Sequence, residues 1–275
     1  ALELQRILDA TTGGSPFEVV ALFSDSNGAE CLAWAEEEGL PSFCLDIRDY
    51  YSDRGVPLKD MRARADYDRE VLRLLQGCAP DMLLLAGYVW AVTDVVTGSI
   101  MTVGVHPADL AIQKDGHRAY AGADGVGATL AGGEGEIRAS SYLATPVLDG
   151  GPILIVSPPV KIEADEGMGE RDRFRKYLSL VNEQSREAGA RTLLEIARGR
   201  FSVDADSVAI HDGRRLPGGL RFESWPPLLP DVSLFSPRSV AVVGASASGQ
   251  SLGGAVLNNI VSYGFKGEVY PVNRR

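Results

Sequence analysis

Cysteine is scarce in this chain. Cys31, Cys44 and Cys78 are the three among 275 residues, and none falls in a Cys-x-x-Cys spacing. A disulfide framework or zinc site is therefore not expected; reduced core thiols in the cytoplasm are. None has a histidine or turn motif beside it, which argues against a cysteine nucleophile. Basic residues are outnumbered, 27 Lys and Arg against 37 Asp and Glu, for a net charge of −10. A nucleic-acid footprint needs a basic face, so nucleic acid is not an expected partner, although one local basic pocket stays open. No apolar run reaches the roughly 18 residues needed to cross a bilayer. A signal-peptide pattern is also missing. The first residue is Ala1 rather than Met, so further chain before it is expected.

What is there is an ordinary globular composition, 45% hydrophobic and 23% charged. The length suits one large α/β domain or two smaller ones. Periodicity predicts a helix over 1–11, a strand over 17–23, a helix over 29–38 and a short strand over 42–47. Residues 50–65 are polar and basic and read as a loop, followed by a helix over 67–77. The apolar run Asp81–Gly87 suits a central parallel strand covered on both faces. A short helix is expected over 91–97 and a strand over 101–105. Then come a surface loop over 108–122, a Gly- and Ala-rich helix over 123–132, and strands over 137–145 and 152–160. Residues 170–198 read as a long helix with a break expected near Gly189, and 207–215 as a small strand and turn. Alternating strands and helices imply an open, doubly wound, mostly parallel sheet. Pro217, Gly218, Gly219, Pro226, Pro227 and Pro230 mark 216–233 as a linker. Beyond it, a strand over 239–243, a Gly/Ser loop, a helix over 254–262 and a strand over 268–272 form one β-loop-α-β unit. One such unit exposes most of its sheet edge, so it is expected to be part of a larger domain.

Two short segments carry the chemistry. Val103-Gly104-Val105-His106-Pro107 offers a histidine at a strand end. Leu148-Asp149-Gly150-Gly151-Pro152 offers a carboxylate just before a Gly-Gly-Pro turn. In open α/β sheets ligands bind outside the carboxyl ends of the strands. A histidine and an aspartate meeting there can move protons during acyl transfer. The plainer alternatives are a structural histidine and an aspartate that only caps its turn. His117 and His211 read as surface residues, and Asp204, Asp206, Asp212 and Glu223 as solvated charge rather than a metal site.

Residues 1 to about 230 resemble the formyltransferase family. The resemblance rests on Pro80–Tyr88, the Val-His-Pro segment and Leu148–Leu154, in that order and spacing. The family's first strand and its following loop have no counterpart here. The resemblance implies a formyl group carried by a reduced folate, 10-formyltetrahydrofolate, and an amine that attacks it through a tetrahedral oxyanion. It also implies three side chains: an asparagine, a histidine two residues later and the aspartate of the Gly-Gly-Pro turn. His106 and Asp149 match the last two. The asparagine position holds Gly104, which has no amide to donate to an oxyanion; loss of one such donor costs on the order of 100- to 1,000-fold in rate. Gln113, Lys114, His117 and Arg118 are the nearby substitutes the sequence offers. Tyr142 stands where some relatives have a second histidine. Leu85, Gly87, Tyr88 and Val89 are implied to line the folate pocket; the plain alternative is a strand end with core aromatics.

The last forty residues resemble the start of the CoA-binding domain of NDP-forming acyl-CoA synthetases. Leu234–Ser246, Ser251–Gly253 and Gly264–Asn273 carry the match. It implies that Gly244, Ser246 and Gly253 offer backbone N–H groups to a phosphate of CoA. The expected organisation is a formyltransferase-like domain over 1–215, a linker over 216–233 and the incomplete CoA-binding domain over 234–275. Three functions remain open from sequence: one-carbon acyl transfer from a folate, with coupling to CoA-ester chemistry; a catalytically degenerate binding or regulatory module of an acyl-CoA ligase; and a folate-independent CoA-ester hydrolase or acyl transferase. Small-molecule substrates and no membrane are expected, with the acceptor and the oligomeric state, homo-oligomer included, left open.

Overall fold

The computed structural model describes residues 16–226, 239–243, 252–265 and 267–272. The helix expected over 1–11 lies outside them. The chain divides into two compact units, Ala1–Pro226 and Pro227–Arg275.

The first unit opens with parallel β1 (Leu22–Ser24) and β2 (Ser42–Cys44), joined by α1 (Glu30–Glu37). The stretch read as a loop over 50–65 is largely helical, as α2 (Ile47–Asp53) and the start of α3 (Met61–Leu75). Two aspartates start these helices. Asp46 accepts from the backbone N–H groups of Arg48 and Asp49, and Asp60 from those of Arg62 and Ala63, so donors that a helix start leaves bare are satisfied. Ile47, Tyr50, Tyr51, Tyr67, Val71 and Leu75 then form one core, which anchors both helices despite their polar outer faces.

The central sheet has β3 (Met82–Leu85), β4 (Met101–His106), β8 (Ser140–Leu143), β9 (Ile153–Val156) and β14 (Leu220–Arg221), in the order β14-β9-β8-β4-β3. The short helix α4 (Asp94–Thr97) joins β3 to β4. The fold is α/β, but the sheet is mixed. β3 is parallel to β4 and β9 to β14, whereas β8 runs antiparallel to both of its neighbours. The Gly-Gly-Pro return between β8 and β9 is too short for a parallel crossover, so those two strands run antiparallel.

The expected surface loop over 108–122 contains a hairpin, β5 (Gln113–Lys114) and β6 (His117–Arg118). Asp115 and Gly116, both at positive φ (52° and 78°), make its two-residue turn. After α5 (Gly125–Ala131), β7 (Glu136–Ile137) pairs with β10 (Val160–Lys161) beside the sheet. A meander of β11 (Phe201–Val203), β12 (Ala209–His211) and β13 (Arg214–Leu216) replaces the single strand and turn expected there. The stretch read as linker from residue 216 also supplies edge strand β14, because its two residues bond to Ile155 and Val156 in spite of the surrounding Pro and Gly. In the second unit β15 (Ser239–Val243) and β16 (Glu268–Val272) are parallel, with α7 (Leu252–Ser262) between them.

Helix α6 (Glu170–Ala197) runs unbroken through Gly189. The glycine marks a close approach to the sheet: a Cβ there would stand 3.2 Å from Val105 Cγ2 and 3.8 Å from Leu84 Cδ1. Alternate residues of β4 thus divide their work. Val105 faces α6, and His106 and Gly104 face the other way. Replacing Gly189 with Leu should therefore lower stability by about 1–3 kcal/mol through overpacking, measured by urea unfolding, while Glu183→Ala on an exposed face of the same helix stays within about 0.5 kcal/mol.

Candidate active site

His106 closes β4, and Asp149 sits in the return between β8 and β9 at φ 51°, a left-handed conformation that aspartate tolerates better than most side chains. The fold brings the two together. His106 Nδ1 is 3.4 Å from Asp149 Oδ2, with the side chains 7% and 6% exposed. A buried carboxylate is costly unless its oxygens are satisfied. Here Oδ1 accepts from the Tyr142 hydroxyl at 2.7 Å and Oδ2 from the Gly122 backbone N–H at 2.7 Å.

The imidazole meets an acceptor on each side. Its Nε2 donates to the Tyr120 carbonyl at 2.7 Å, while Nδ1 faces the Asp149 carboxylate. A ring protonated at both nitrogens suits both partners, whereas a neutral ring with its proton on Nε2 turns a lone pair towards the carboxylate. Imidazole and carboxylate thus face each other, with the ring's other nitrogen held by the Tyr120 carbonyl.

One segment covers this pair. Arg118 donates from Nη1 to the Asp149 carbonyl and from Nη2 to the Gly151 carbonyl, the latter at 2.6 Å. Tyr120 and Gly122 supply the bonds above. Lys114 reaches the Tyr120 hydroxyl at 2.8 Å, and that hydroxyl donates to Glu134. Of the four nearby polar side chains in the sequence, Arg118 grips the site backbone and Lys114 anchors Tyr120, while Gln113 and His117 lie on the exposed hairpin. The Asp-Gly pair at 115–116 was the available signal for this folding-over.

Gly104 is not an empty position. It pairs directly across the sheet with Tyr142, and a Cβ on Gly104 would stand 2.6 Å from the Tyr142 hydroxyl and 2.7 Å from Cε1. Burial, and next the nearby Asp149 charge, push the Tyr142 phenol well above its ordinary pKa, so it stays a neutral donor. Leu85 is the partner of Gly104 on the other side, in β3. Leu85 and Tyr88 are half-buried, Gly87 has φ 69°, and Val89 is 75% exposed. Gly253 lies in the first turn of α7, and Gly244 and Ser246 lie outside the described residues.

The formyl transferase family pattern matches residues 1–176, more than half of the chain. The chain belongs to the formyl transferase family. Among relatives, it is similar to phosphoribosylglycinamide formyltransferase of Escherichia coli strain K12, 26% identical over 217 residues, which are 78% of this chain and 90% of that one. A solved phosphoribosylglycinamide formyltransferase from Coxiella burnetii shares the fold, with a TM-score of 0.64 at 21% identity over 80% of this chain and 93% of that one. A 41-residue stretch is 51% identical to the α subunit of ADP-forming acetate–CoA ligase I of Pyrococcus furiosus. That stretch is 15% of this chain and spans 9% of the ligase subunit's length.

The return that holds Asp149 has no room for a side chain at Gly151, where a Cβ would fall well inside contact distance of the Leu143 carbonyl oxygen and 3.0 Å from the carbonyl carbon. Gly151→Ala should cost about 3 kcal/mol or more in urea unfolding, since backbone cannot yield as a flexible side chain does.

Proposed function

We propose that the first unit transfers a formyl group from 10-formyltetrahydrofolate to an amine. The observation that carries this is the contact of His106 with Asp149 on a fold of the formyl transferase family. In this reading His106 and Asp149 are the proton-handling residues. Asp149 orients the imidazole and takes up the proton that the attacking amine loses, and His106 passes a proton to the departing folate nitrogen. The carrier supplies the activated formyl group.

The residues after β3 suit a folate ring. Val89 is a large apolar side chain left 75% exposed, Leu85 at the end of β3 and Tyr88 are half-buried, and Gly87 at positive φ has no side chain to block an approach to the backbone. Leu85, Gly87, Tyr88 and Val89 would hold the carrier there, one strand away from the pair. Residues 118–122 border the pair, through the Tyr120 carbonyl on His106 and the Gly122 N–H on Asp149.

The second unit adds a proposed link to CoA-ester chemistry. The Gly/Ser-rich sequence between β15 and α7, with Gly244 and Ser246, together with Gly253 in the first turn of α7, would hold a CoA phosphate through backbone N–H groups. Joining the two units on one chain would raise the effective concentration of an intermediate they share. No helix of the described residues is long and apolar enough to cross a membrane. Cys31, Cys44 and Cys78 are free thiols, which accords with the cytoplasm.

A second reading is favoured by one observation, the tyrosine ring in the space of residue 104. It makes the unit a folate-binding regulatory module without turnover. The test mixes the chain with 10-formyltetrahydrofolate and glycinamide ribonucleotide, the acceptor suggested by the relatives' names, and follows release of tetrahydrofolate. Transfer is expected, falling at least about 1,000-fold in His106→Ala. Full activity in that variant would refute the assignment of His106. Calorimetric binding of an unreactive folate analogue without any turnover would favour the module.

A further inference from the structure

Gly104 and Tyr142 stand opposite each other on β4 and β8, on the sheet face that carries His106. The tyrosine ring lies across the glycine, with its hydroxyl 2.6 Å from where a Cβ of residue 104 would be. The terminal N and O of an asparagine stand about 2.4 Å from their own Cβ, given standard bond lengths. The phenol oxygen therefore sits at nearly the reach from position 104 that an amide there would have. Its proton points to Asp149 Oδ1, 2.7 Å away, and Asp149 Oδ2 is the atom nearest the imidazole. Glycine and tyrosine are thus one unit: the ring needs the glycine, and the glycine leaves the ring's hydroxyl as the donor at this point.

The geometry points to Tyr142 as the oxyanion donor of this site, its phenol standing in for the amide that position 104 lacks. The assignment rests on the formyl-transfer reading above. As the amine nitrogen bonds to the formyl carbon, the carbonyl π pair moves onto oxygen. The Tyr142 O–H turns from Asp149 Oδ1 to that oxyanion, without giving up its proton. Asp149, released on Oδ1, accepts the proton the amine loses. The oxygen pair then re-forms the carbonyl, the carbon–nitrogen bond to the carrier breaks with its electrons on the folate nitrogen, and that nitrogen receives one proton by way of His106. One proton leaves the amine and one reaches the carrier.

An aromatic ring laid over a cross-strand glycine is also a packing device. Packing requires the ring alone, and the chemistry requires the hydroxyl. Tyr142→Phe separates the two. The full chain is assayed with 10-formyltetrahydrofolate, using glycinamide ribonucleotide and, in parallel, hydroxylamine as a small amine probe. Tyr142→Phe should lower kcat about 100-fold or more with KM for the carrier little changed, in a protein whose melting shows it folded. Tyr142→Ala clears the space above position 104. Adding Gly104→Asn to Tyr142→Ala should raise kcat about tenfold or more over Tyr142→Ala alone, whereas Gly104→Asn with Tyr142 in place should lower it. Wild-type kcat in Tyr142→Phe, or no gain from the added Asn, would overturn the role of Tyr142. No turnover by the unaltered chain with either acceptor would instead overturn the formyl-transfer reading, and this assignment with it.

Discussion

The carboxylate of Asp149 is the point on which this site turns. It is buried, and three groups from three separate parts of the chain satisfy it: the His106 imidazole from β4, the Tyr142 hydroxyl from β8 and the Gly122 N–H from the segment after the hairpin. Its own backbone is held by Arg118. Charged groups away from water are tolerated only with such partners. The carboxylate therefore ties together strand register, the β8–β9 return and the covering segment, so that assembling the fold also assembles the site.

This explains why position 104 cannot be judged by itself. Considered alone, Gly104 is a missing donor in a family that implies an asparagine there. Beside Tyr142 it is one half of an exchange: position 104 carries no amide, and the phenol oxygen from the neighbouring strand lies 2.6 Å from where its Cβ would be. The exchange keeps a neutral donor next to Asp149, because burial keeps the phenol protonated. It also makes the two positions interdependent, since a Cβ on residue 104 and the ring of residue 142 cannot occupy one volume.

Much of the frame was legible in the sequence. β3, β4 and β9 fall where the sequence places strands, and His106 at a strand end and Asp149 in a facing turn, with the family resemblance, suggested their meeting. What was hidden has physical causes. Helix α2 and the first turns of α3 show polar, basic faces, and their starts are marked only by Asp46 and Asp60, single capping residues among many acidic ones; the rest of α3, with Tyr67, Val71 and Leu75 at helical spacing, was legible. Strand β14 is two residues whose pairing with β9 is purely tertiary. Gly189 looks like a helix breaker until the sheet is seen to need its missing side chain. The position of the Tyr142 ring over Gly104 depends on the pairing of β4 with β8, strands separated by more than thirty residues of chain.

The central claim is that imidazole and carboxylate act as one device. A double-mutant cycle on kcat/KM with 10-formyltetrahydrofolate tests it, using His106→Ala, Asp149→Asn and the two combined. Residues that act as a unit are strongly non-additive. The double variant should lose little more than the worse of the two single variants. Losses that simply multiply would mean that the two residues work independently, and would contradict the account.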